Sequence, residues 1–250
     1  MSGHSKWHSI KHAKGAADAA RGKQFARLAR QIEVAARTGG GEIEGNPTLR
    51  TMVQKARDAS MPKDNIERAI KRGTGELEGV TYESIVYEGY ATNGVAVYVE
   101  TLTDNRNRTG AEVKNVFNRN GGSLAEPGAV AWQFERKGVL VLDKAVGDED
   151  EVMLAALDAG AEDVSDQGDS WQVVTAPGEL HAVRSALEEG GITPTSTDLT
   201  MLPSATVEIG EASKAKSVLR VIDALEEHDD VQNVYANFDI PDDVMAAAYA

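Results

Sequence analysis

The sequence predicts an α+β protein in three parts, an N-terminal three-helix domain followed by two ferredoxin-like α+β domains, the third inserted in the second. Three observations carry this prediction. Apolar residues recur at helical spacing through about residue 79, and the pattern then changes to β-rich runs. Between 139 and 203 the elements spell β-α-β-β-α-β, the order of a ferredoxin-like unit. The pieces left on either side, 82–135 and 205–238, amount to one further α+β unit. The expected domains are 1–79, 80–138 plus 204–240, and 139–203.

Taken in order, residues 1–14 are polar except for Trp7 and Ile10 and read as a poorly anchored arm. A helix is expected over 16–38, where Phe25, Leu28, Ala29, Ile32 and Ala36 share one face, and Gly39, Gly40 and Gly41 stop it. Asn46 and Pro47 suit the N-cap and first position of a second helix with Leu49, Met52, Val53 and Ala56 inward. Pro62 opens a third, with Ile66, Ala69 and Ile70 as its core face and Gly73 as its end. "TYESIVYEGY" and "GVAVYVETLT" are strands, separated by a hairpin-like break at "ATN" before Gly94. A helix over 109–120 turns Val113, Val116 and Phe117 inward, with Thr109 and Glu112 as a capping box, and ends at Gly121 and Gly122.

"AVAWQFERKGVLVLD" is a strand interrupted at Gly138. After the acidic "GDEDE" come a helix over 149–159, strands near 161–166 and 170–175, a helix over 178–189 and a strand near 193–202. A strand near 205–209, a helix over 211–228 and a strand over 232–238 follow, and "EEHDD" reads as a solvated helix end.

A chain of 250 residues with 41% hydrophobic and 26% charged content can bury a sizeable core. No run of apolar residues is long enough to span a bilayer, and "MSGHSKWHS" lacks the apolar core of a secretory signal. The basic head faintly resembles an organelle transit peptide, but its charges continue into a helix that reads as folded. With no cysteine, disulfides, thiolate metal sites and cysteine nucleophiles are excluded, and a cytoplasmic location is expected.

The formal charge of −14 is divided unevenly. Through Arg72 there are fifteen Lys and Arg against seven acids, a net of +8, which leaves −22 for the remainder. Such asymmetry is the footprint of a module that meets a polyanion. Lys6, Trp7, Lys11, Lys14 and Arg21 lead into Lys23, Arg27, Arg30 and Arg37. The last four span an arc of roughly 80° opposite the apolar stripe and are expected to face solvent. Lysine and arginine displace condensed counterions from phosphates, and an aromatic ring can stack on an exposed base.

"TDNRNRTGAE" lies where a strand passes into a helix, so Arg106 and Arg108 stand beside free backbone N–H groups that suit an anion, or pair with acids such as Glu88. His4, His8 and His12 are spaced four apart, but Gly3 and Ser5 and the lack of a nearby acid argue against a metal site. No nucleophile elbow, phosphate loop or dinucleotide fingerprint occurs, so neither catalysis nor a cofactor is expected.

"GHSKW", "IKH", "RGKQFARLAR", "MPKDNIERAIKRGTG", "YEGY", "LTDNRNRT", "NGG" and "AWQFERKG" closely resemble the YebC family, in strong blocks from Gly3 to about Gly138. The resemblance implies three domains with the third inserted in the second. It also implies a cytoplasmic, non-enzymatic regulator of gene expression. Some relatives are described as DNA-binding transcription regulators, others as ribosome-associated translation factors. The family's basic surface would fall on Lys6, Lys11, Lys14, Lys23, Arg27 and Arg30, and its loop motif on Arg106 and Arg108. Ala91-Thr92-Asn93, Ser60 and His8 depart from the family's usual residues. The expected partner is nucleic acid, promoter DNA or ribosomal RNA, with no membrane and no obligatory small molecule. A protein–protein adaptor with an acidic body and a small-molecule sensor built on the ferredoxin-like unit are the alternatives.

Overall fold

A computed structural model describes residues 17–249. Of the residues expected to bind, Lys6, Trp7, Lys11 and Lys14 lie outside the described residues, as do the three histidines of the arm. Helix α1 (Ala17–Gly39), α2 (Pro47–Asp58) and α3 (Lys63–Thr74) bury their stripes together. Leu28, Ile32, Ala35 and Ala36 meet Leu49, Val53, Ala56, Ile66 and Ala69 in one core. Buried Asn46 joins two of these helices. Its Oδ1 accepts from the Leu49 amide at 3.0 Å as the cap of α2, and its Nδ2 donates to Ala35 O and Gly40 O at 2.9 Å each. Gly75, at φ +83°, supplies the left-handed residue after α3. The helix therefore outlasts the stop expected at Gly73, which is buried in its last turn.

The second domain is a sheet in the order β3 (Ser123–Leu124), β1 (Glu83–Tyr90), β2 (Ala96–Thr103), β9 (Val231–Ala236). All its neighbours are antiparallel. Helices α4 (Arg106–Arg119) and α7 (Ala212–Glu226) cover one face, where Val97, Val99 and Val234 pack with Val113, Phe117, Val218 and Ile222. A short parallel ladder of β8 (Val207–Glu208) and β10 (Phe238–Asp239) closes it. A terminal helix not anticipated from sequence, α8 (Asp242–Tyr249), adds Met245 and Ala248 to the core.

Helix α4 starts three residues earlier than the sequence pattern places it. Asn105, not Thr109, is the cap, and its Oδ1 accepts from the Arg108 amide at 3.1 Å. Thr109 therefore lies inside the helix with its hydroxyl turned toward the core.

Between β3 and β8 the chain forms the third domain, β4 (Phe134–Asp143), α5 (Glu149–Asp158), β5 (Asp163–Asp166), β6 (Ser170–Thr175), α6 (Leu180–Glu189) and β7 (Ser196–Pro203). The strand order β5-β6-β4-β7 is that of a ferredoxin-like sheet. Strand β4 is not interrupted at Gly138, which pairs with Thr175 on one side and Leu199 on the other. The division expected at 138/139 thus falls inside a continuous strand. Tyr98, Phe134 and Tyr235 form an aromatic seam between the two sheets, with ring centroids 5.9 and 6.2 Å apart.

Candidate nucleic-acid interface

Helix α1 buries its apolar stripe within the head, and the structure turns most of the opposite face toward the second domain. Lys23 Nζ donates to Glu227 O and Arg27 Nη2 to Glu226 O. Arg30 Nη1 donates to Asp229 O at 2.7 Å and to Asp230 Oδ1 at 3.1 Å. The last carbonyls of a helix have no intrahelical donor and carry the negative end of its dipole, so cations are drawn there. Burial lowers the Arg27 pKa despite the opposing pull of Glu226. Arg37 pairs with Glu33 at 3.2 Å and donates to Val80 O at 2.9 Å. The expectation that four cations face solvent is corrected accordingly: "EEHDD" is the docking partner of Lys23, Arg27 and Arg30 and not a free helix end, and Arg37 is held within the head by Glu33 and Val80. Arg21 is exposed and forms no ion pair among the described residues.

Asp230 is the hub of this junction. It is 4% exposed and accepts at Oδ2 from Arg108 Nη2 and Thr109 Oγ1, each at 2.7 Å, while Arg30 holds Oδ1. Burial by itself would raise the carboxyl. The bonds from Thr109 and Arg108, with the charges of Arg108 and Arg30, outweigh it and hold the group below the usual carboxylate range. Arg108 also bonds Asp104 at 2.9 Å. The start of α4 therefore already receives its negative charge from Asp104 and Asp230. Glu88, suggested as an arginine partner, instead accepts from three backbone amides, those of Gly128, Val130 and Ala131, at 2.7 Å each. Arg106 remains exposed, without an ion pair among the described residues.

Glu112, His228 and Asp230 bring potential metal-ligand atoms within 4.8 Å of one another. Each is already occupied. His228 Nδ1 accepts from the Asp230 amide at 3.1 Å, which leaves the ring proton on Nε2, 3.0 Å from Glu112 Oε2. Three protein donors engage both oxygens of the Asp230 carboxylate. The cluster is built as a hydrogen-bonded joint.

Among the described residues of the head, an exposed cationic face lies instead on α3. Arg68, Lys71 and Arg72 follow one another at i, i+3 and i+4, so they share one face of the helix. All three are exposed and make no ion pair among the described residues, and the same holds for Arg57 near the end of α2. In the sequence these residues add to the charge of the head, yet they were not among the expected site residues. Their spacing, read beside the Ile66–Ala69–Ile70 stripe, is the signal that distinguishes them. Among the described residues no helix is long and apolar enough to cross a membrane.

The family model for the TACO1/YebC N-terminal domain matches residues 5–76, and that for the TACO1/YebC second and third domain matches 82–238. A "probable transcriptional regulatory protein" of Halothermothrix orenii is 56% identical over 98% of both chains. One of Salinispora arenicola is 54% identical over 98% of this chain and 99% of that protein. The crystal structure of a conserved hypothetical protein from Aquifex aeolicus superposes with a TM-score of 0.80 at 47% identity, covering 90% of this chain and 93% of that one.

Proposed function

The chain belongs to the TACO1/YebC family, and from that premise we propose that it is a non-enzymatic, cytoplasmic regulator of gene expression that binds nucleic acid through its N-terminal domain. The observation that carries this reading is the exposed face of Arg68, Lys71 and Arg72 on a domain whose sequence carries a net +8 through Arg72. The names of its relatives, probable transcriptional regulatory proteins, support the regulatory role. Arg21, Arg106 and the leading Lys6, Trp7, Lys11 and Lys14 extend the proposed grip. Lys23, Arg27, Arg30 and Arg108 join it only if their bonds around Asp230 give way.

Guanidinium and ammonium groups on one helix face meet phosphates whatever the base sequence. A face made of cations alone suits phosphates better than a mixed set of base edges, so the binding is to backbone and shape, which favours structured RNA over a promoter sequence. Repulsion from the −22 body confines contact to the head and the surface beside it.

Fluorescence anisotropy with labelled duplex DNA and with ribosomal RNA fragments, across a range of salt, tests this. Affinity is expected to fall linearly on logarithmic axes. R68A/K71A/R72A should reduce the slope on duplex by up to about 0.9 for each phosphate left without its cation. Binding that ignores salt, or a triple variant that binds like the wild type, would overturn the reading. The acidic body favours a second reading, recruitment of a basic protein, and a pull-down that survives nuclease treatment would mark it.

A further inference from the structure

Trp132 is 75% exposed, the most exposed large apolar side chain among the described residues. Its loop is nonetheless tightly held. The buried Glu88 carboxylate accepts the amides of Gly128, Val130 and Ala131, and the Ala125 amide donates to Glu88 O at 2.8 Å. Gly128, at φ +88°, allows the turn that aims these amides inward. The ring itself is fixed, because Trp132 Nε1 donates to Ala129 O at 3.1 Å, a carbonyl that also accepts from Tyr90 Oη at 3.2 Å. An indole whose N–H is satisfied and whose support is rigid, with its face left in water, is preorganised for a flat partner.

We propose that Trp132 is a stacking platform for an unpaired nucleobase, an inference that rests on the nucleic-acid reading above. The surroundings favour a base over a protein side chain. A protein hot spot needs a rim of packed contacts that excludes water. Here the flanking residues are half-buried Ala131 and Gln133, with Glu135 and Arg136 exposed beyond buried Phe134. Gln133 is turned inward as well, its Oε1 accepting from Asn237 Nδ2 at 3.0 Å. An isolated π-face suffices for a base, since every base has a face of its own. Arg136, four residues further along the chain, is an exposed cation on the strand that follows.

The test uses the full chain and short unstructured oligoadenylate and oligouridylate RNAs. W132A should weaken oligoadenylate binding about tenfold, W132F should retain most of it, and the thermal midpoint should not move because the ring is solvent-exposed. Wild-type tryptophan emission should be quenched on binding, and W132F should lose the share of that quenching contributed by Trp132, what remains coming from Trp7. W132A binding both RNAs like the wild type, while R68A/K71A/R72A weakens them, overturns the platform and leaves the nucleic-acid reading standing. A wild-type protein that binds no RNA or DNA overturns both. Loss of a protein partner by W132A with RNA binding intact assigns the ring to protein recognition and overturns the platform.

Discussion

The Arg30 guanidinium on α1 lies 3.1 Å from Asp230 Oδ1, 200 residues further along the chain. That bond joins the head to the second domain, and Arg108 binds the other oxygen of the same carboxylate. Removing Asp230 leaves two guanidinium groups facing each other with no anion between them. Loss of one partner from a fully buried pair costs about 3–5 kcal/mol. The Arg30 and Arg108 side chains keep 22% and 43% exposure, so water recovers part of it. D230A should therefore lower stability by about 2 kcal/mol, read as a shift in urea midpoint. An unchanged midpoint would show that the junction contributes nothing to the fold.

Asp230 and Glu88 make stability fall in acid. Burial by itself raises the Glu88 carboxyl, but the three amide bonds from Gly128, Val130 and Ala131 outweigh it, so the group ends below its ordinary value, as Asp230 does. The unfolded chain then takes up protons first. The stabilisation is complete above the unfolded values, about 3.9 for Asp and 4.3 for Glu, and is lost as pH falls through the lower folded values. Thermal midpoints of the wild type should drop steeply below about pH 4, and those of E88Q and D230N should start lower and fall less steeply. Parallel curves for all three proteins would refute this.

Much of this architecture was legible in the sequence, and the misses have identifiable physical causes. The apolar stripe around Ile32, the Asn46-Pro47 start of α2 and the β-α-β-β-α-β order are local patterns, and the structure places each close to where the pattern does. The start of α4 differs from the pattern because Asn105 and Thr109 both suit a cap, and the bond from the Arg108 amide to Asn105 Oδ1, with Thr109 turned inward onto Asp230, decides between them. The docking of Lys23, Arg27 and Arg30 joins residues some 200 positions apart, and periodicity carries no information about which partner a cationic face will find. Trp132 stood inside a recognised block, but its exposure depends on Glu88 holding the loop from another strand.

The two cationic faces should separate functionally. Lys23, Arg27 and Arg30 are engaged by the end of α7, whereas Arg68, Lys71 and Arg72 are exposed. K23A/R27A/R30A should increase hydrogen exchange at the amides around 227–231 and leave the salt slope of nucleic-acid binding near the wild-type value. R68A/K71A/R72A should do the reverse. If the docked triple lowered the slope as much as the α3 triple, the junction would have to open on binding.

Gly73 sets the distance between α1 and α3. A Cβ built at Gly73 would run into Glu33 O and lie 2.7 Å from Ala36 Cβ, an obstruction that α1 backbone cannot relieve by a rotamer change. Helix propensity favours alanine over glycine by about 1 kcal/mol, so an exposed site would gain from the change. Here the overpacking cost of about 1–3 kcal/mol opposes that gain and should win, because the obstruction is backbone. Forcing α3 outward would also strip Ile66 and Ala69 from Ile32 and Ala36 in the core of the head. G73A is expected to lower the thermal midpoint. G22A on α1, where an added Cβ meets nothing within 4 Å, should leave it unchanged or raise it. A stabilised G73A would mean that the two helices are free to separate, and that the exposed cations of α3 are not held in one place by the packing beneath them.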